Sequence, residues 1–174
     1  PIDCARKMKT KLSPMFAAAA LAWCAALPAQ AQLAGDAKAG EGKVAMCVGC
    51  HGIIGYQSTF PEVYKVPRIA GQNAKYLAAA LQAYKKGERK HPTMRGIAGS
   101  LSEQDIADVS AYYEQLGKGA TPAALPLPSQ PSAEVAQLLQ KGACVSCHGD
   151  NFSKPIDPSY PKLAGQHKDY LYAA

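Results

Sequence analysis

Four of the six cysteines and two of the four histidines in this sequence fall in two five-residue stretches. "CVGCH" occupies positions 47–51 and "CVSCH" positions 144–148, each with two thiols three positions apart and an imidazole directly behind. On one helical turn, thiols at that spacing can add to the two vinyl groups of a single porphyrin, and the histidine that follows is directed at the iron. Cys47 and Cys50 are thus expected to hold one covalent haem c with His51 on its iron, and Cys144, Cys147 and His148 a second. Two other uses of paired thiols compete. A zinc site wants four ligands, which pooling the pairs would supply, but it gives no reason for a histidine behind each pair. A thioredoxin-type pair follows a strand in a βαβ unit, and no such strand pattern precedes either pentad.

A histidine-bound iron can take a thioether on its other face, which raises the potential and closes the metal to small ligands. Met94 is the only methionine after the first pentad, and it sits among Gly, Arg and Pro rather than in an apolar stripe. It is expected in a loop between two helices as the sixth ligand. Met46, beside Cys47, reads as packing on the haem edge, and His91, beside Pro92, as a surface histidine.

The chain that must position these groups has 174 residues, 48% of them hydrophobic, with a formal charge of +6. Its start reads as an export signal, residues 1–31. Arg6, Lys7, Lys9 and Lys11 form a basic lead, "MFAAAALAWCAAL" an apolar run too short to span a membrane, and "AQA" a cleavage site, with Met8 as the better start. Without that segment the charge falls to +3 (four basic and one acidic residue removed), so no nucleic-acid partner is expected. Cys4 and Cys24 leave with it, and the four remaining cysteines all lie in the pentads.

The repeat extends past the pentads. "VPRIAGQNAKYLAAA" at 66–80 is answered by "YPKLAGQHKDYLYAA" at 160–174, an offset of 94 positions. The expected layout is a unit over 32–118, a proline-rich linker over 119–131 and a second unit over 132–174, both units all-α. In the first, Asp36 caps a helix that runs into the pentad, Asn73 caps "AKYLAAALQAYKK" before Gly87, and Ser102 with Asp105 forms a capping box opening "EQDIADVSAYYEQL", ended by Gly117. The basic stretch "KKGERKH", 85–91, is either a docking rim for an acidic partner or a solvated helix end.

On the paired pentads, the "RIAGQNAKYL" and "KLAGQHKDYL" segments and "MRGIAGSLSEQDIADVSAYY" at 94–113, the chain resembles the cytochrome c4 family, dihaem members of the class I cytochromes c. The resemblance implies two tandem class I cytochrome c domains and a periplasmic electron carrier. It would exchange electrons with membrane respiratory complexes such as a haem-copper terminal oxidase or a quinol-oxidising complex, with peripheral membrane association. It also implies that Pro67 and Pro161 accept the ring N–H of the proximal histidines, orienting them.

The second unit departs from that pattern. The repeat offset puts a second methionine near position 188, beyond Ala174, so the expectation is a fragment whose natural chain continues with a methionine and a closing helix. His167 aligns with Asn73 at a helix start and is expected at the surface, and Lys154 and Lys162 are the stray candidates for the second iron. The alternative function is a haem enzyme or gas sensor working at an open sixth position on that second haem.

Overall fold

The computed structural model describes residues 33–119 and 130–174. The segment read as an export signal and most of the linker lie outside them. Helix α1 (Ala37–Glu41) starts where the Asp36 carboxylate accepts from the Lys38 N–H at 2.8 Å and the Ala39 N–H at 3.4 Å. It does not continue into the pentad as one helix: Gly42 caps it, and α2 (Ala45–His51) restarts a few residues on, turning the thiols to a new direction. A loop follows, with β1 (Gln57–Ser58) antiparallel to β2 (Tyr64–Lys65). This exception to an all-helical reading is too short for a two-residue alternation to register in sequence.

Helix α3 (Ala74–Lys86) ends at Gly87, whose φ of +79° is the left-handed conformation a side chain would resist. Asn73 stands at its N-cap position without a side-chain capping bond, and its amide N–H donates across to the Tyr160 carbonyl at 3.2 Å. Between α3 and the last helix of this unit lies a further helix, α4 (Pro92–Gly99), where a loop was expected. Proline opens it, since a first-turn residue needs no N–H, and the His91 ring accepts from the Met94 N–H at 3.3 Å. Met94 is therefore held in a helical first turn. Helix α5 (Glu103–Gly119) begins with the reciprocal pair Ser102 N–H to Asp105 (3.0 Å) and Asp105 N–H to Ser102 Oγ (3.1 Å). It runs through Gly117, which serves as a crossing point instead of a stop. A Cβ there would overlap the Gly71 backbone, so glycine lets the two segments touch.

Helix α1 crosses α5 at equally close range, Gly40 lying against the Asp108 carbonyl. Asp108, 2% exposed, accepts from the Asp36 N–H (2.8 Å), Lys43 Nζ (2.7 Å) and Gln104 Nε2 (2.8 Å), which together hold its carboxyl down to about 2. Lys43 and Ser102 hold Asp105 well below the usual carboxylate range too. A folded-state value below the unfolded one, about 3.9, adds stability above that unfolded value and loses it as pH falls toward the folded one. Acid unfolding, followed by far-ultraviolet circular dichroism, is expected to steepen between about pH 4 and pH 2. Asp108→Asn should flatten that limb, and an unchanged acid profile would remove the cluster from the account.

The second stretch carries α6 (Ala133–Lys141), α7 (Cys144–His148) and α8 (Lys168–Ala173). The two A-G-Q segments meet face to face and exchange bonds reciprocally, as in an isologous interface. Gln72 donates to the Lys162 carbonyl (3.0 Å) and accepts from its N–H (2.9 Å), while Gln166 donates to the Arg68 carbonyl (2.9 Å) and accepts from its N–H (2.9 Å). Arg68 Nη1 then reaches the Gly165 carbonyl and Lys162 Nζ the Gly71 carbonyl. Each of these pairings repeats under the 94-residue offset, and Lys65–Asp169 and Lys75–Asp157 ion pairs flank them. Gln72 is 7% exposed, so Gln72→Ala strands the Lys162 peptide groups away from water. A loss of about 1–3 kcal/mol is expected in denaturant unfolding, with a smaller loss for the more open Gln166→Ala. Equal effects from both would contradict the assignment.

Candidate haem site

Buried Val44, Leu77, Val109 and Tyr113 form the hydrophobic core, with Cys47, Ile69, Tyr76 and Tyr112 packed against it. Beside it opens a predominantly apolar cavity of about 440 Å³. Cys47, Cys50 and His51 from α2, Pro67, and Met94 from α4 all line it, so residues spread over 48 positions of sequence converge on one space. Burial pushes the Cys47 thiol up, opposed by the neighbouring Tyr113 hydroxyl. The hydroxyls of Tyr113 and Ser110, both buried at the cavity wall, find no hydrogen-bond partner among the described residues.

His51 Nδ1 lies 2.8 Å from the Pro67 carbonyl, and His148 Nδ1 lies 2.9 Å from the Pro161 carbonyl. A carbonyl only accepts, so each Nδ1 carries a proton and each ring is oriented with Nε2 directed away from that bond. Burial lowers the His51 pKa from its ordinary value, against the opposing pull of the Pro67 bond, and so favours the neutral ring. Neutral, oriented imidazoles are what an iron takes as ligands. Cys144 and Cys147 lie on α7 beside His148, all half-buried, and form no disulfide.

Several side chains stand elsewhere than the sequence implied. His91 is half-buried rather than on the surface, because capping α4 turns its ring into the cavity between Tyr64 and Tyr84. Met46 does line the cavity but is 53% exposed, placing it at the opening. Lys162 is committed to the Gly71 carbonyl, 2.6 Å away. His167 occupies the N-cap position of α8 and is partly covered. Within "KKGERKH", Lys86 and Lys90 are exposed but Arg89 folds inward, donating to the Tyr76 and Tyr170 hydroxyls. Tyr64 went unmarked in the sequence, and Arg89, Tyr84 and Tyr170 entered only as members of the basic stretch, the helix before Gly87 and the repeat, with no part in a shared cavity. The signal available was the repeat, which places Tyr76 and Tyr170 at matching positions.

The residues fit a flat macrocycle held through two thioethers: an apolar slot, paired thiols on one helical turn, and an oriented nitrogen on the same helix. Such a slot, walled by helices, defines a c-type cytochrome, and residues 37–117 match the cytochrome c family model. The chain belongs to the cytochrome c4 family. Over 153 residues it is 37% identical to cytochrome c4 of Stutzerimonas stutzeri, an alignment covering 80% of this chain and 70% of that protein. It is 30% identical over 169 residues to a thiosulfate dehydrogenase electron acceptor of Thiomonas intermedia, covering 93% and 69%. The crystal structure of reduced recombinant cytochrome c4 from Pseudomonas stutzeri superposes with a TM-score of 0.56 at 36% identity, over 77% of this chain and 75% of that one. The family carries covalent haem c and transfers electrons, and so does this chain. Among the described residues no helix is long and apolar enough to cross a membrane.

Proposed function

We propose that the protein is an exported, periplasmic dihaem electron carrier of a respiratory chain. One haem c would be held by Cys47 and Cys50 with His51 and Met94 on its iron, and the other by Cys144 and Cys147 with His148. The observation that carries this reading is the repetition: behind each thiol pair stands a histidine whose Nδ1 is spent on a proline carbonyl, at 2.8 Å and 2.9 Å. When bound, haem supplies a one-electron Fe(III)/Fe(II) couple. The chain's own part is to orient the two imidazoles, exclude water from the apolar slot, and leave an edge near Met46 open for electron exchange.

Membrane respiratory complexes, a haem-copper terminal oxidase or a quinol-oxidising complex, are the partners this reading names, reached by peripheral association. The similarity to thiosulfate dehydrogenase electron acceptors supports a carrier over an enzyme and adds a thiosulfate dehydrogenase as a candidate donor. In a stopped-flow experiment, the reduced protein is expected to be reoxidised by respiratory membranes in a cyanide-sensitive reaction. Reoxidation that cyanide leaves untouched, or that needs no membranes, would count against the oxidase as acceptor.

A further inference from the structure

Two buried hydroxyls at the cavity wall have nothing to bond. Ser110 and Tyr113, 1% and 3% exposed, stand three positions apart on α5 and so share one face of that helix. A serine inside a helix can return its hydroxyl to the carbonyl four residues back, and a buried tyrosine usually finds an acceptor. Neither hydroxyl has a partner among the described residues. A buried donor in that position has lost its water for nothing, which is costly. The Tyr113 ring is held where it is. Val44, Leu77 and Val109 cluster with it, Tyr112 meets it edge-on with ring centroids 5.3 Å apart, and its carbonyl accepts from the Gly71 N–H at 2.8 Å. Cys47 packs against the same cluster, so its sulfur is the side-chain atom with lone pairs beside the Tyr113 hydroxyl.

We infer that the Tyr113 hydroxyl donates to the Cys47 sulfur once that sulfur is the thioether of the bound haem, and thereby sets part of the first haem's potential. The inference rests on the reading that a haem is attached at Cys47 and Cys50. A thioether sulfur accepts weakly and has no proton to return, so within the pair the phenol is the donor. Burial first, and then the neighbouring Cys47 sulfur, push the Tyr113 phenol up, so it keeps the proton it gives. The hydroxyl in turn opposes the upward push of burial on the Cys47 thiol, which places the positive end of the O–H dipole toward the sulfur. A dipole aimed that way at the edge of the macrocycle favours the electron-rich Fe(II) state, and in a water-poor interior it is weakly screened. Ser110, one turn earlier on the same face, is the second unpartnered hydroxyl and supplies the comparison.

The test uses the full-chain holoprotein as wild type, Tyr113→Phe and Ser110→Ala. Haem per chain is counted in alkaline pyridine, and midpoint potentials are titrated spectroelectrochemically. The first haem's wave is the one missing in a Cys47→Ser/Cys50→Ser protein. Tyr113→Phe keeps the ring and removes one oxygen, so haem loading is expected to stay at the wild-type level. The first wave should move down, a change of up to about tenfold in the Fe(III)/Fe(II) equilibrium, the weight of one neutral hydrogen bond, while the second wave stays. Ser110→Ala should move the first wave less. Proton NMR of the reduced protein under carbon monoxide, where six-coordinate ferrous iron is diamagnetic, should show a phenol O–H with a nuclear Overhauser contact to the thioether bridge at Cys47, and Tyr113→Phe should lack it. Should Tyr113→Phe load haem poorly, that contact in the wild type still decides. An unmoved first wave in haem-loaded Tyr113→Phe, absence of the contact from the wild type, or an equal shift in Ser110→Ala would overturn the bond to sulfur while leaving the haem reading intact. A wild-type protein without haem would overturn both.

Discussion

Cys47→Ser combined with Cys50→Ser is expected to unfold residues 33–119 while the haem at Cys144 and Cys147 stays attached. Removing the thiols removes the covalent hold, and the apolar slot then has nothing to close on. At about 24 cal/mol per Å³ of unfilled cavity, a space of about 440 Å³ costs at most on the order of 10 kcal/mol. That is comparable to the whole stability of a small domain. Water entering from the open side reduces the penalty, but the core it would wet is thin: the buried hydrophobic residues among those described are Val44, Leu77, Ala98, Leu101, Ile106, Val109 and Tyr113. Far-ultraviolet circular dichroism should lose most of its helical signal from α1 to α5, and the pyridine spectrum should fall to one haem per chain. Loss of both haems, or of neither, would contradict separate attachment.

The second large effect is expected at Met94. Replacing it by alanine should lower the first haem's potential, let carbon monoxide bind the ferrous form, and abolish the methionine-to-iron charge-transfer band in the near infrared. The thioether favours Fe(II) and occupies the position a small ligand would need. Met94 is also half-buried in the first turn of α4, whose start is fixed by Pro92 and the His91 cap. The substitution should therefore leave the helix in place and change the ligand alone. Survival of the near-infrared band in Met94→Ala would show that Met94 is not the ligand, since the band needs a thioether on the iron and the other methionine lining the cavity is Met46.

The pentads were visible because both thiols and the imidazole lie within five residues, so their relation needs only a helical turn. The Ser102–Asp105 box and the Asp36 cap were visible for the same reason, being contacts across three residues or fewer. What escaped were the features set by packing. The break between α1 and α2, the continuation of α5 through Gly117, and the inward fold of Arg89 each depend on which segment crosses which. Gln72 and Gln166 carry no chemistry of their own, and only their reciprocal bonds to Lys162 and Arg68 reveal why the motif occurs twice. Helix α4 was missed because eight residues rich in Gly and Pro read as a loop, whereas a proline in the first turn is compatible with a helix.

The central claim, that each pentad holds a haem through thioether bonds, is tested most directly by counting. The full 174-residue chain is expressed in a host that matures cytochromes c. Haem is then measured in alkaline pyridine against protein mass after acid-acetone extraction, which strips haem that is not covalently bound. The account predicts two thioether-linked haems per chain, with mass spectrometry placing one on Cys47–Cys50 and the other on Cys144–Cys147. A colourless protein, or one that carries zinc on its thiols, would contradict it.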